Sequence, residues 1–288
     1  MSLPSCVAAT RCLLGEGPLW DPEAGRLYWF DIKGSRLHWL APDREEVGTL
    51  ELQARCSAAA LTEGGLIVAS DRGIGLLDPG RRKLDIRLEL EPDLPGNRSN
   101  DGKADPWGNF WVGTMDDAEA QASGALYRVT PDWTAERVLE GLRIPNTLAW
   151  SPDGATMIFA DSGEATLYAF DLAPASGRLS NRRVFAVGDG GTPDGSAMDE
   201  EGFLWNAQWG GARVVRYAPD GSIDRVVPLP VDNPTSCAFG GDDLGTLYVT
   251  SARVGLSERE LARQPLAGGV FAFQPGVRGL PVGRFGRV

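Results

Sequence analysis

A chain of 288 residues with 37 glycines, 20 prolines and 42% hydrophobic residues has material for a packed core and for many tight turns, which excludes a disordered polypeptide. Its formal net charge of −11 excludes sequence-general binding to nucleic acid or to an anionic membrane, since both need clustered Lys and Arg. Acidity of this kind favours solubility and attracts cations.

The N-terminal MSLPSCVAAT has no basic segment followed by an apolar one, so it does not read as a signal peptide, and no apolar run approaches a membrane span. The expectation is a cytoplasmic protein with no membrane partner. The following CVAATRCLL is strand-compatible but belongs to no complete unit, and is expected to supply the outer strand of the last unit. From Glu16 onward, paired strand patterns recur. They are LYWFDI with RLHWLAP, AAALTEGGLIVAS with GIGLLDPG, and DGKADPWGNFWVGTM with GALYRVTP. TLAWSPDGATMIFAD with TLYAFDLAPASG, GSAMDEEGFLWNAQ with RVVRYAPDG, and SCAFGGDDLGTLYVTS with GGVFAFQPG continue the series. Edge runs such as RRVFAV and IDRVVPL add a fourth strand, which makes each unit a propeller blade. Residues 1–288 are therefore expected to form one all-β domain, a six-bladed β-propeller with four-stranded blades around a central channel.

Six turns start at Asp21, Thr62, Asp105, Ser151, Asp199 and Gly240, and five residues before each stands a polar residue: Glu16, Ser57, Asn100, Asn146, Asp194 and Thr235. The repeat is roughly 41 to 48 residues. If these positions begin the inner strands, Glu16, Asn100, Asn146 and Asp194 converge on one end of the channel as an oxygen-rich cation site. Each could instead brace its own backbone in an Asx-type turn. Glu16 and Asp194 together carry two negative charges, matched to one divalent cation; hard oxygen donors suit Ca²⁺, Mg²⁺ and Mn²⁺ without excluding Zn²⁺ or Fe²⁺. Two long loops, Met115 to Gly124 and Val254 to Gly269, follow second strands and are expected on the same face, the second with short helix character.

Other chemistries find little support. His38 is the one histidine, within RLHWL, and reads as a packing residue rather than as part of a triad. Cys6, Cys12, Cys56 and Cys237 show neither CxxC nor zinc-ligand spacing and read as free thiols, so any metal is expected to be held by oxygen. No phosphate-binding glycine motif appears. Of the nine tryptophans, Trp205 and Trp209 are expected near the channel mouth. Lys103 reads as solvated or strand-pairing, and Asp101 as a brace for the NDG turn.

The motifs LGEGPLW, NRSNDGK, WVGTM, GALYR, PNTLAWSPDG and PDGSAMDEEGFLW, in this order, resemble the SMP-30/gluconolactonase family of six-bladed propellers. The tail SARVGLSERELARQPLAGGVFAF is similar to bacterial sugar-lactone lactonases, and the likeness runs from about Leu14 to Phe273. The resemblance implies that Glu16, Asn146 and Asp194 ligate one divalent metal and that Asp194 doubles as the catalytic acid/base. It implies that Arg98 and Asn100 hydrogen-bond a small-molecule sugar lactone. It also implies an acidic residue in the loop after WVGTM; Asp117 and Glu119 both fit, Ala118 occupies one alignment position, and Glu119 is the candidate. The implied reaction is metal-assisted hydrolysis of an aldono-lactone to its aldonic acid. Alternatives are a lactonase or arylesterase acting on non-sugar esters, and a non-catalytic calcium-binding propeller. A closed propeller needs no partner, so a monomer is expected.

Overall fold

β-branched and aromatic residues dominate the runs between turn signals, and in the computed structural model, which describes residues 3–286, those runs are strands. β1 (Ser5–Ala8) precedes the first complete blade. Blade one comprises β2 (Gly15–Asp21), β3 (Arg26–Asp31), β4 (Arg36–Ala41) and β5 (Glu46–Glu51). Blade two comprises β6 (Cys56–Thr62), β7 (Gly65–Ser70), β8 (Gly73–Asp78) and β9 (Lys83–Leu88). Blade three comprises β10 (Asn97–Ala104), β11 (Phe110–Asp116), β12 (Gly124–Val129) and β13 (Ala135–Leu142). Blade four comprises β14 (Pro145–Trp150), β15 (Thr156–Asp161), β16 (Thr166–Ala173) and β17 (Arg178–Val187). Blade five comprises β18 (Thr192–Met198), β19 (Leu204–Trp209), β20 (Arg213–Tyr217) and β21 (Ile223–Pro228). Blade six comprises β22 (Pro234–Gly240), β23 (Thr246–Ser251) and β24 (Val270–Phe273), and β1 is its fourth strand. Ser5 faces Ala272 and Cys6 faces Phe271 in an antiparallel pair, so the first strand closes the ring, as expected from CVAATRCLL.

The inner strands β2, β6, β10, β14, β18 and β22 contact one another in sequence and back to β2, which makes the fold a six-bladed β-propeller. Burial falls from the axis outward. Every residue of β14 is buried, whereas the outer strand β9 alternates exposed and half-buried positions. The core is divided between the blades rather than collected at the centre. Trp111 and Trp150 pack between blades three and four, Val215 and Leu204 with Ala169 between four and five, and Trp205 with Phe239 between five and six. Burial of such large side chains contributes roughly 25 cal/mol per Å² of apolar surface removed from water, so adjacent blades hold one another in place. Trp205 is fully buried with its indole N–H donating to Asp199 Oδ2 at 2.9 Å, so it serves this packing and not the channel mouth.

Two buried aspartates fix the hairpins that aim the inner strands. Asp105 Oδ1 accepts from the Trp107 and Asn109 amides and Asp199 Oδ1 from those of Glu201 and Phe203, while each Oδ2 takes a tryptophan indole N–H, Trp111 or Trp205. At the opposite ends of the inner strands, pairing with the second strand slips in all six blades. The slips lie between Glu16 and Leu19, Cys56 and Ala58, Ser99 and Gly102, Asn146 and Ala149, Pro193 and Ser196, and Pro234 and Cys237. Bulges of this kind re-aim side chains, and all six polar ring positions lie at or inside one.

The loop after β23 carries α1 (Glu258–Arg263), started by a capping box between Ser257 and Glu260. Both long loops leave from second-strand ends that pair with inner-strand starts, Asp116 with Asn97 and Ser251 with Pro234, so both lie on the ring face as expected. The C-terminal tail crosses the opposite face. Leu280 N donates to Met198 O of blade five, Phe285 N to Leu61 O of blade two and Gly286 N to Gly108 O of blade three. Among the described residues no helix is long and apolar enough to cross a membrane.

Candidate active site

The six ring positions divide into two kinds. Ser57 and Thr235 are staples: Ser57 Oγ pairs with Ser99 Oγ at 2.8 Å, and Thr235 Oγ1 donates to Gly15 O at 2.5 Å, tying blade six to blade one. Glu16, Asn100, Asn146 and Asp194, each 3–7% exposed, are the positions left with uncommitted oxygens. Gly17, with φ +57°, explains how a carboxylate fits at the start of β2: a Cβ there would lie 2.6 Å from Ser57 O, so only glycine lets the two blades meet.

The two amides are oriented by a directed relay. Arg98 Nη1 donates to Asn100 Oδ1 at 2.8 Å, Asn100 Nδ2 to Asn146 Oδ1 at 2.9 Å, Asn146 Nδ2 to Ser162 Oγ at 2.8 Å, and Ser162 Oγ to Pro193 O at 2.6 Å. Each link fixes which end of the next amide is oxygen. Asn146 therefore keeps one Oδ1 lone pair for a further partner. Arg98 also donates from Nε to Asp117 Oδ1 at 2.8 Å and from Nη1 to Ser99 O at 2.9 Å, while no partner among the described residues takes its Nη2 protons. Asp194 is held through its backbone: Thr147 Oγ1 and Asn206 Nδ2 both donate to its carbonyl.

The electrostatics single out the two carboxylates. Glu16 accepts one amide N–H, from Gly17 at 3.1 Å, and no lysine or arginine forms an ion pair with Glu16, Asp101 or Asp194 among the described residues. Burial pushes the Glu16 carboxyl up to about 8, with the charge of Asp101 adding to it. Burial raises Asp194 well above the ordinary range too, reinforced by the charges of Glu16 and Asp101. Such a cluster is costly unless a cation joins it. Two buried carboxylates and an amide oxygen with a free lone pair are hard donors, and the residues present fit one divalent cation.

Residues 14–253 match the family described as SMP-30/Gluconolactonase/LRE-like region. The chain belongs to that family. It is 42% identical over 279 residues to 6-deoxy-6-sulfogluconolactonase of Pseudomonas putida, covering 95% of each chain. It is 40% identical over 286 residues to L-arabinolactonase of Azospirillum brasilense, covering 97% of this chain and 94% of the relative. Among solved structures it is similar to the calcium-binding protein regucalcin of Agrobacterium tumefaciens, with TM-score 0.91 and 36% identity over 98% of this chain and 96% of that one.

Within this SMP-30/gluconolactonase propeller, Glu119 sits exposed in its loop at φ 57°, near enough to Arg98 for its charge to be felt. Asp117 is the loop acid in contact, bridging Arg98 Nε at 2.8 Å and Arg55 Nη1 at 2.7 Å. Burial works to raise the Asp117 carboxyl, but Arg55 and Arg98 outweigh it and hold it below the usual carboxylate range. Lys103 pairs with Trp111 through its backbone, as one of the two expectations had it, while its half-buried side chain donates from Nζ to Ser196 O at 2.7 Å and desolvation lowers its pKa. Asp101 Oδ1 accepts the Gly102 N–H at 2.8 Å, as expected of a turn brace, but Oδ2 is buried without a partner. Trp209 is half-buried at the ring-face end of β19. Sequence reasoning missed Ser162, Arg55 and Thr147; Ser162 and Arg55 lie off the repeat phase, and Thr147 was hidden behind its neighbour.

A cavity of about 530 Å³ lies beyond the ring toward the turns, lined by Leu19, Ala104, Leu148, Phe239 and the tail residues Leu280 and Val282. Asp101, Gly17 and Lys103 reach its wall from the ring side, but Glu16, Asn100, Asn146 and Asp194 do not line it. Buried carboxylates and oriented amides coincide at the ring, which makes the ring the candidate site.

Proposed function

We propose that the protein hydrolyses a sugar lactone to the corresponding aldonic acid, using one divalent cation held by Glu16, Asn146 and Asp194. The observation that carries this reading is the pair of buried carboxylates without a cationic partner beside the Arg98–Asn100–Asn146 relay. The likeness to two proteins named as sugar lactonases supports the substrate class. A cation bound there would supply Lewis acidity toward the lactone carbonyl.

The chain's own groups do the rest. Asp194 takes a proton from the attacking water as the water oxygen bonds to the carbonyl carbon. When the bond from that carbon to the ring oxygen breaks, Asp194 returns the proton to the departing oxygen, leaving a hydroxyl and a carboxylic acid. Arg98 Nη2 and Asn100 orient substrate hydroxyls, and the relay holds both in place before substrate arrives. Glu119, on the rim, contributes at most a distant contact. We further take residues 1–288 as one functional unit acting as a monomer; the four free cysteines support a reducing, cytoplasmic setting. Ca²⁺, Zn²⁺, Mn²⁺, Mg²⁺ and Fe²⁺ all suit the donor set.

Chelator-treated protein assayed by acid release against pentono- and hexono-lactones should be inactive and regain turnover when a divalent metal is returned. Metal binding without acid release from any lactone would instead favour a non-catalytic calcium-binding role, the second reading suggested by the likeness to regucalcin.

A further inference from the structure

His38, the one histidine of the chain, packs against Trp29 with ring centroids 5.4 Å apart, yet half of its imidazole chemistry is unused. Nδ1 lies 2.8 Å from Oγ1 of Thr49, its partner across β4 and β5. Nε2 is buried with no hydrogen-bond partner, and the residue is only 5% exposed. An orphaned buried acceptor costs about 1–3 kcal/mol. Cys12 and Asp31 complete the surroundings: one ligating atom from each of Cys12, Asp31 and His38 lies within 4.8 Å of the other two, and all three residues are buried. No hydrogen bond joins them.

Blade four supplies an internal control. Asp31 Oδ1 accepts from Leu14 N and Gly34 N and Oδ2 from Leu13 N, each at 3.0 Å. Asp161, at the same place in blade four, takes the two equivalent contacts from Ile144 and Arg143 and a third turn amide from Gly163, two residues on rather than three. The backbone brace therefore needs neither thiol nor imidazole. Where blade one carries Cys12 and His38, blade four carries Leu142 and Tyr168 in the same register. The brace leaves Asp31 Oδ2 one lone pair beyond the Leu13 contact.

We propose that Cys12, Asp31 and His38 form a second divalent-metal site, a thiolate–carboxylate–imidazole set suited to Zn²⁺ or Co²⁺ and separate from the oxygen-only ring. Ligand distances of about 2.0–2.3 Å need only a modest contraction of the cluster. Thr49, accepting Nδ1–H, fixes the tautomer that presents Nε2 as a ligand. Binding releases the Cys12 thiol proton, the thiolate and Asp31 carboxylate then balance the cation's charge, and a water would fill the fourth position. Cys12 lies between β1 and β2 and its amide donates to Gly268 O, so the ion would tie the ring-closing segment to blade one.

The test uses full-length protein expressed in Co²⁺-supplemented medium and purified without chelator. A near-ultraviolet thiolate-to-cobalt charge-transfer band is expected; the oxygen ring cannot produce one, so the result is independent of lactone hydrolysis. Cys12→Ser should abolish the band, and Cys6→Ser and Glu16→Gln should keep it. Because Cys12→Ser could disturb folding, X-ray absorption at the zinc edge of zinc-grown Glu16→Gln protein gives a second reading, with a sulfur neighbour expected. Absence of the band from the unmutated chain, its survival in Cys12→Ser, or a zinc environment without sulfur overturns the site.

Discussion

Asp194 and Asp199 stand five residues apart at opposite ends of one inner strand, both buried, and their surroundings differ completely. Asp199 accepts two backbone amides, the Trp205 indole and the Arg216 guanidinium, with Nη2 at 2.6 Å. Asp194 faces the charges of two other carboxylates, with Arg98 only a weaker counter-charge and no ion pair to lysine or arginine among the described residues. Burial alone therefore says little about function in this fold. A saturated carboxylate holds a hairpin in shape, whereas an unsaturated one stores electrostatic cost that a bound cation can release.

The contrast is broken most directly at Asp194. Asp194→Ala should leave the fold intact and lower kcat/KM for lactones by on the order of 10³-fold, because one residue carries both ligation and proton transfer. Retained turnover in the acid-release assay would refute the assignment. Asp199→Asn should do the reverse, costing about 1–3 kcal/mol in urea unfolding by leaving buried donors of Trp205 and Arg216 unmatched while Arg216 keeps Glu201 and Asp224, with activity per folded molecule unchanged.

The metal-free protein sharpens the comparison through pH. Glu16 holds its proton up to about 8 when folded but loses it near 4.5 when unfolded, so the folded state binds more protons between those values. Stability of the chelated protein should therefore be greatest below that window and fall as pH rises through it, by up to about 1.4 kcal/mol per pH unit. Glu16→Gln should reduce that slope in thermal melts recorded across the window, leaving the part that Asp194 carries; an unchanged slope would place the titration elsewhere. Arg98→Ala should raise KM about tenfold with a smaller change in kcat, read from saturation kinetics on the best lactone. Glu119→Gln, at an exposed position, should change kcat/KM less than twofold, in contrast to Asp117→Asn, which loosens the Arg98 anchor.

How far the sequence announced this depends on which direction a contact runs. Six residues at one repeat phase marked the ring, because equivalent positions in a radial repeat must share a height on the axis. Phase could not separate the staples Ser57 and Thr235 from Asn100 and Asn146, since that depends on which neighbouring blade each hydroxyl or amide reaches. Ser162 and Asp117 lie in connections with no period, where backbone path decides contact; hence Glu119 rather than Asp117 was the candidate. Trp205 was misplaced because its strand alternation was not followed to the Asp199 brace. The Cys12, Asp31 and His38 group was invisible for a similar reason: their separations fit no metal motif, and only the stacking of β3 and β4 beside the entry to β2 assembles them.

Ring closure also orders events in time. Five of the sheets join strands that are neighbours in the chain and can pair as synthesis proceeds, but the sixth joins residues 5–8 to residues 270–273. β1 must wait for β24, synthesised roughly 260 residues later, before it has a partner. Glu16 lies on the blade that this closure locks against blade six through Thr235 and Gly15. A nascent chain short of β24 thus has every proposed ligand in its sequence but lacks the closed ring that sets their spacing, and the site is completed only once β24 has been made.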